Sequence, residues 1–322
     1  MDKISRVLCV VDPTTSEQHA VDRAAWITAR AGATLELFIC TYNEYLSGIR
    51  YYDSPSLEAA RKEVLEGYRR RLEGIAGPLR ESGLNVVTKA LWDHPLHEGV
   101  VRYAAATGAD LVVKDTHYHS SIARALLSNT DWQLIRNCAV PLWLVKPGPM
   151  AEEPVFVSAV DPMNEHDKPA ALDDEIICVS KKFAKICGGD VHVFHAYDPR
   201  LAAASATTNA YLPVSLPYYE IDKDMRERHG KRLNEITTFH GIKDDHTYLV
   251  SGRTEDELPE LASKLDATVV VMGAVARNRL QRLFVGATAE RTMDRLPCDL
   301  LVIKPDWFHT PEEILHKNEK AA

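Results

Sequence analysis

What the 322-residue sequence lacks narrows its class before any motif is read. Its longest nearly unbroken apolar run, Val269 to Ala276, has eight residues, against the roughly twenty that span a bilayer. No membrane insertion is expected. The opening MDKISRVLCVVDP enters a strand-like run within a few residues, without the longer apolar segment and small-residue cleavage site of a secretory signal. The expected location is the cytoplasm. Positive charge is not in excess: 38 Lys and Arg stand against 46 Asp and Glu, a net charge of -8. Such a balance gives no general electrostatic reason to approach nucleic acid or an anionic membrane. The six cysteines show no CxxC or zinc-ribbon spacing, and several lie in or beside apolar runs, where a thiol packs as a small hydrophobe. Reduced, structural thiols are expected. What is present in quantity is apolar residue, 45% of the chain, enough for about two domains of roughly 150 residues, each with its own core.

Two copies of one pattern fill the chain. RVLCVVDP (Arg6 to Pro13) recurs as PVFVSAVDP (Pro154 to Pro162), an apolar strand ending in Asp-Pro both times. GADLVVKDTHYH from Gly108 answers DATVVVMGAVAR from Asp266, and NTDWQLIRNCAVPLWLVKP answers ATAERTMDRLPCDLLVIKP. The opening aspartates are 149 residues apart and the closing prolines 158, so the second copy carries about nine extra residues in its middle. The chain reads as the duplication of one domain-sized pattern.

Each copy reads as alternating strands and helices. The first gives strands at 7–11, 35–40, 86–91, 111–114 and 142–145, and helices at 17–31, 55–80, 97–107 and 130–137. The second gives strands at 155–160, 191–195, 247–250, 268–272 and 300–303. Short Val/Leu/Ile runs without polar alternation are expected where helices cover both faces of a parallel sheet. The fold class is therefore α/β, with two tandem open parallel five-stranded sheets and flanking helices, Rossmann-like. Lys146 to Pro154 (KPGPMAEEP) has linker composition. The expected domains are 1–148 and 153–308, followed by a polar tail at 309–322.

Open parallel sheets bind ligands outside the carboxyl ends of their strands. Asp12, Asp161, the loop after Val250 and the loop after Met272 occupy such ends. In the second copy, MGAVARNRLQRLFVGATAE holds Gly273, Gly286 thirteen residues on, and Thr288 at the start of a predicted helix. Small residues there let a phosphate approach backbone N–H groups and a hydroxyl, and Arg277, Arg279 and Arg282 add positive charge. The alternative is plainer: Gly273 turns the chain, Thr288 caps the helix and the arginines are solvated. This is neither GxxxxGK[ST] nor the GxGxxG that follows the first strand of dinucleotide folds.

The two-copy order, the strand-ending Asp, the glycine-bearing segment after the fourth strand and the closing RTMDRLPCDLLVIKP resemble universal stress proteins, in particular the bacterial tandem type, from about residue 4 to 305. The resemblance implies a cytoplasmic stress-response sensor or adaptor with a regulatory protein partner. It also implies a small-molecule ligand, ATP or a related adenine nucleotide, with Mg as a companion ion. Nucleotide-binding members use G-x2-G-x9-G-[ST]. Gly273 and Gly286 match its first and third glycines, Ala276 replaces the second, and Ala287 stands at the hydroxyl position with Thr288 one place later. Asp161 matches the acidic residue, and Gly252, after Val250, resembles the family glycine following the third strand. The second copy's expected ligand set is thus Asp161, Val250, Gly252, Gly273, Arg277, Gly286, Ala287 and Thr288. In the first copy the three glycine positions are Asp115, Tyr118 and Ser128, so a nucleotide is not expected there.

His94, His117 and His119, from WDHPLHE and KDTHYHS, are candidate zinc ligands, since adjacent strand-end loops bring imidazoles together; hydrogen-bonded loop histidines are the alternative. His192 and His195, three apart, point to opposite faces of a regular strand. Ser180 and Ser251 lie outside any GxSxG elbow, so no catalytic residue is nominated. Aromatic-bearing connections at 41–60 and 197–220 are read either as covers for an apolar or lipid-like metabolite or as packing over their own sheets. Slow ATP hydrolysis is the enzyme alternative, and a homodimer is compatible with duplicated sheets.

Overall fold

The computed structural model describes residues 3–47, 55–119, 124–163, 171–200, 218–274 and 287–315. The chain divides into two compact units, Met1–Met150 with Asp306–Ala322, and Ala151–Pro305.

The first unit contains strands β1 (Arg6–Val10), β2 (Thr34–Thr41), β3 (Asn85–Trp92), β4 (Leu111–Asp115) and β7 (Leu142–Val145), and the short β5 (His117–His119) and β6 (Arg124–Leu126). Its main helices are α1 (His19–Ala31), α2 (Pro55–Glu81), α3 (Leu96–Thr107) and α4 (Asn129–Asn137). The order β7-β4-β1-β2-β3 is parallel throughout. The apolar runs are strands buried on both faces: Val7, Leu8, Cys9, Leu35, Leu37, Leu111, Val112 and Val113 have no exposure. That is the burial expected of a parallel sheet under helices. Helix α1 stops at Gly32, whose φ of 61° lets its N–H reach Thr28 O, the left-handed ending that glycine adopts without a Cβ penalty.

In the second unit β8 (Val155–Ala159), β9 (Asp190–Tyr197), β10 (Thr247–Ser251), β11 (Val269–Gly273) and β12 (Asp299–Ile303) pair in the order β12-β11-β8-β9-β10, again parallel. Its helices are α5 (Ala171–Cys187), α6 (Tyr218–Phe239), α7 (Thr254–Lys264) and α8 (Ala287–Arg295). The mostly parallel α/β class read from the sequence holds, and the expected strand bounds shift by one or two residues.

Three local readings change. The stretch after β4, read as a loop, begins an antiparallel hairpin of β5 and β6. Tyr197 is the last residue of β9, while Tyr218 and Tyr219 open α6, so these three do not belong to a loop cover. The chain from Asp306 counts with the first unit, including 306–308, read above as the end of the second domain. There α9 (Glu312–Leu315) lies against α3. Among the described residues, no helix is long and apolar enough to cross a membrane.

Candidate functional site

Parallel strands put all the carboxyl ends of a unit along one edge. Strand order reverses between β8 and β11 in the second unit and between β1 and β4 in the first, and the crevice at such a reversal is where open α/β sheets take ligands.

In the second unit, Asp161 follows β8 and Gly273 ends β11. The Asp161 N–H donates to Asp173 Oδ1 at 3.0 Å, a buried carboxylate near the described start of α5. One residue earlier, the Val160 carbonyl lies 3.1 Å from His195 Nδ1, and the Nε2 of that ring meets His229 Nδ1 at 2.7 Å. A carbonyl only accepts, so His195 holds a proton on Nδ1, and one further proton is shared between its Nε2 and His229 Nδ1. Both imidazoles are buried, and together they tie the end of β8 to α6. His192 lies apart from them, stacked on His246 with ring centroids 4.1 Å apart; burial lowers its pKa, and the neighbouring His246 adds to that.

Gly273 has a packing reason of its own. A Cβ there would stand 2.5 Å from Leu172 Cδ2 and 3.1 Å from Ile176 Cδ1, so any larger residue would have to displace the ends of these side chains, and glycine lets α5 pack closely here whatever the ligand. Gly252 donates its N–H to Tyr197 O at 2.8 Å, and a Cβ there would meet the Glu257 side chain. Val250 is half-buried on β10, beside Ala196. Ser251 Oγ and Tyr197 OH both donate to Asp222 Oδ1, at 2.9 and 3.2 Å, and Ser180 Oγ donates to Ile176 O from a buried position. Neither serine is set beside a histidine by these bonds. Arg277 and Gly286 lie outside the described residues. Ala287 and Thr288 open α8, with their side chains outside the described set. Farther along α8, Arg295 pairs with Asp256 at 2.6 Å and Arg291 with Glu255 at 3.4 Å, so these cations face carboxylates on α7.

In the first unit the residues at the equivalent positions bond to their own chain. Asp12 Oδ1 accepts from Thr14 N at 2.7 Å and Thr14 Oγ1 at 2.6 Å, the turn-forming role open to an aspartate. Asp115, which occupies the position of Gly273, accepts the Ala20 N–H of α1 at 2.8 Å through Oδ1, and its Oδ2 is buried with no hydrogen-bond partner. Burial lifts the Asp115 carboxyl to about 6, with the Ala20 hydrogen bond pulling the other way. Ser128, at the third glycine position, caps α4 in a reciprocal box with Asp131.

For the zinc candidates, His94 stacks on Tyr42 with centroids 4.2 Å apart and takes its backbone N–H to Asp93 Oδ1. His117 and His119 lie on β5, with side chains outside the described set. Among the described residues no group of three or more His, Cys, Asp or Glu is arranged to hold a metal.

The universal stress protein family model matches residues 3–146 and again 163–304. The chain belongs to the universal stress protein family. Universal stress protein E of Escherichia coli K12 is 28% identical over 318 residues, covering 98% of each chain. The same-named protein of Photorhabdus laumondii is 26% identical over 316 residues, covering 97% of this chain and 98% of its own. A solved universal stress protein of Pseudomonas aeruginosa UCBPP-PA14 superposes with a TM-score of 0.72 at 25% identity, over 99% of this chain and 98% of that one. One from Archaeoglobus fulgidus shares the fold at a TM-score of 0.61 and 16% identity, over 94% and 97%. Membership places this tandem universal stress protein among proteins of the stress response.

Sequence reasoning missed Asp173, His229 and the role of Asp115. The 158-residue offset that sets Asp115 against Gly273 was the available signal for the last. Nothing in the spacing of His195 and His229, on a strand and a helix 34 residues apart, foretells their contact.

Proposed function

We propose that this universal stress protein is a cytoplasmic sensor or adaptor that takes an adenine nucleotide, ATP or a relative, in the crevice of its second unit. One contrast carries the reading: where the first unit sets the Asp115 carboxylate against the N-terminal end of α1, the second has Gly273 and no carboxylate at that position. An anion meets its own kind in the first crevice and not at this point of the second. The described residues fit the ligand in part. Asp161, just past β8, is the proposed partner of the ribose or adenine, Val250 and Gly252 lie at the carboxyl end of β10, two strands away, and Gly273 serves α5 packing first. Gly286, Ala287, Thr288 and Arg277 are the proposed phosphate partners, with a Mg ion neutralising phosphate charge when bound. The signal is differential affinity: a regulatory partner that prefers the nucleotide-bound protein is recruited by as much as the two affinities differ.

The test is native mass spectrometry of freshly purified protein, followed by titration with ATP. About one nucleotide per chain is expected, weakened about tenfold by Thr288→Ala through loss of a phosphate hydrogen bond, and unchanged by Asp12→Asn. Absence of binding at millimolar ATP, or weakening by Asp12→Asn alone, would sink the reading.

A further inference from the structure

Among the six free cysteines, Cys178 is the exposed one; Cys9, Cys40, Cys138, Cys187 and Cys298 are buried. It lies on α5, four residues after Asp174, so both side chains share one face of the helix. His240, just past the end of α6, packs across that face. Its Nε2 is 2.7 Å from Asp174 Oδ1, and its Nδ1 faces Cys178 Sγ at 3.9 Å, the long end of a sulfur hydrogen bond. A carboxylate only accepts, so Asp174 fixes the proton of a neutral imidazole on Nε2 and leaves the Nδ1 lone pair toward the thiol. Lys181, one turn farther along the same face, donates its ammonium to the His240 carbonyl at 2.6 Å, which holds the backbone of the ring in place. His240 is only 8% exposed, so it has little room to turn away. The Phe239 ring meets the imidazole edge-on at 5.1 Å and is itself 79% exposed, an apolar surface beside the sulfur.

Nucleophile, base and orienting carboxylate in that order are the arrangement that activates a thiol. It does not suit acyl transfer. The Cys178 N–H lies inside α5, where helical hydrogen bonding uses it, and cannot serve as an oxyanion donor. What remains is attack on sulfur, which needs no oxyanion hole.

We propose that Cys178, His240 and Asp174 form a base-assisted thiol site that small organic disulfides modify, capping the protein as a mixed disulfide. Cys178 Sγ attacks one sulfur of RSSR as its proton moves to His240 Nδ1. The S–S bond of the reagent breaks, the Cys178–S–S–R bond forms, and the departing thiolate takes the proton from the imidazolium as RSH. The disulfide supplies the oxidising equivalents. The buried thiols do not compete: burial, then the nearby Asp93 charge, pushes Cys40 up to about 12, and burial followed by Asp115 raises Cys9 well above its ordinary value. With no other exposed thiol among the described cysteines, the cap is resolved by an external thiol.

The test is the reaction of full-length protein with neutral dithiodipyridine, followed by absorbance and located by peptide mass spectrometry. The first cap is expected on Cys178, about tenfold faster in the wild type than in His240→Gln at pH 7, with the two rates converging near pH 10, where an accessible thiol ionises unaided. Asp174→Asn, a change at a half-exposed side chain that leaves the core alone, should slow the reaction about threefold at pH 7 and not at pH 10. Labelling first at another cysteine, equal rates at pH 7 in both variants, or a deficit that persists at pH 10 would overturn the proposal, the last because it marks altered access and not lost base assistance.

Discussion

A carboxyl at the end of β4 does for α1 what the residue preceding that helix does not. Gln18 makes no side-chain cap, and Asp115 receives the Ala20 N–H instead. Holding an ion there is costly, because burial lifts its carboxyl from 3.8 to about 6. The folded protein therefore keeps a proton that the unfolded chain has released across the interval from about pH 4 to 6. The stabilising contribution is fully present below about pH 4 and is lost as pH rises through 6. Asp115→Asn keeps an oxygen for Ala20 and removes the charge. It should raise the stability of the protein by roughly 1–2 kcal/mol at pH 7, a value discounted for partial exposure, and leave it unchanged at pH 4. Guanidinium denaturation of the two proteins at both pH values checks this; a less stable variant at pH 7 would mean that the ionised carboxylate interacts favourably enough to outweigh its desolvation.

At the scale of elements, the same substitution of function recurs at α4. Ser128 stands at the phosphate-loop position and caps the helix: its hydroxyl accepts from Asp131 N at 3.2 Å, while its own N–H donates to Asp131 Oδ2 at 2.7 Å. Ser128→Ala should cost about 1 kcal/mol in a thermal or denaturant melt, and Ser128→Gly only a few tenths, since glycine tolerates the cap geometry. Equal losses would show that the box contributes little. These exchanges also mark how far the sequence could be read. The strands were legible because runs such as VLCVV and DLVV match the composition of strands buried on both faces, and the glycine pattern of the second copy was legible as a motif. The reason for Gly273 was not, because Leu172 and Ile176, which approach it, lie a hundred residues earlier on α5. Nor was the β5–β6 hairpin, three residues a side and partly polar, which carries no alternation long enough to register. Side-chain pairs across elements, such as His195 with His229 or Cys178 with His240, leave no periodic trace in either segment.

At the scale of the whole molecule, the chain order does not follow the unit order. After the second unit it returns to the first, where Arg102 waits on α3. That guanidinium is 8% exposed; it holds Asp93 Oδ2 at 2.6 Å and donates to the Ile314 carbonyl at 2.8 Å. Thr310 Oγ1 adds a bond to Asn137 O at 3.2 Å, at the end of α4, and Ile314 itself is buried. A chain ending at Pro305 would lose a charged hydrogen bond and an apolar anchor, each of roughly 1.5–3 kcal/mol before the entropy of ordering the tail is set against them. A net loss of about 2 kcal/mol is expected. It should be local to the first unit, because the contacts are with α3 and α4. Hydrogen exchange resolves this directly: amides of residues 96–107 and 129–137 should exchange faster in the truncated protein, by about thirtyfold for a loss of that size, while those of 171–187 and 254–264 keep their rates. Uniform acceleration in both units would mean that they open as one cooperative body, and unchanged rates in α3 would mean that Asp93 and Glu98, whose Oε2 lies 3.4 Å from Arg102 Nη1, satisfy the guanidinium without the tail.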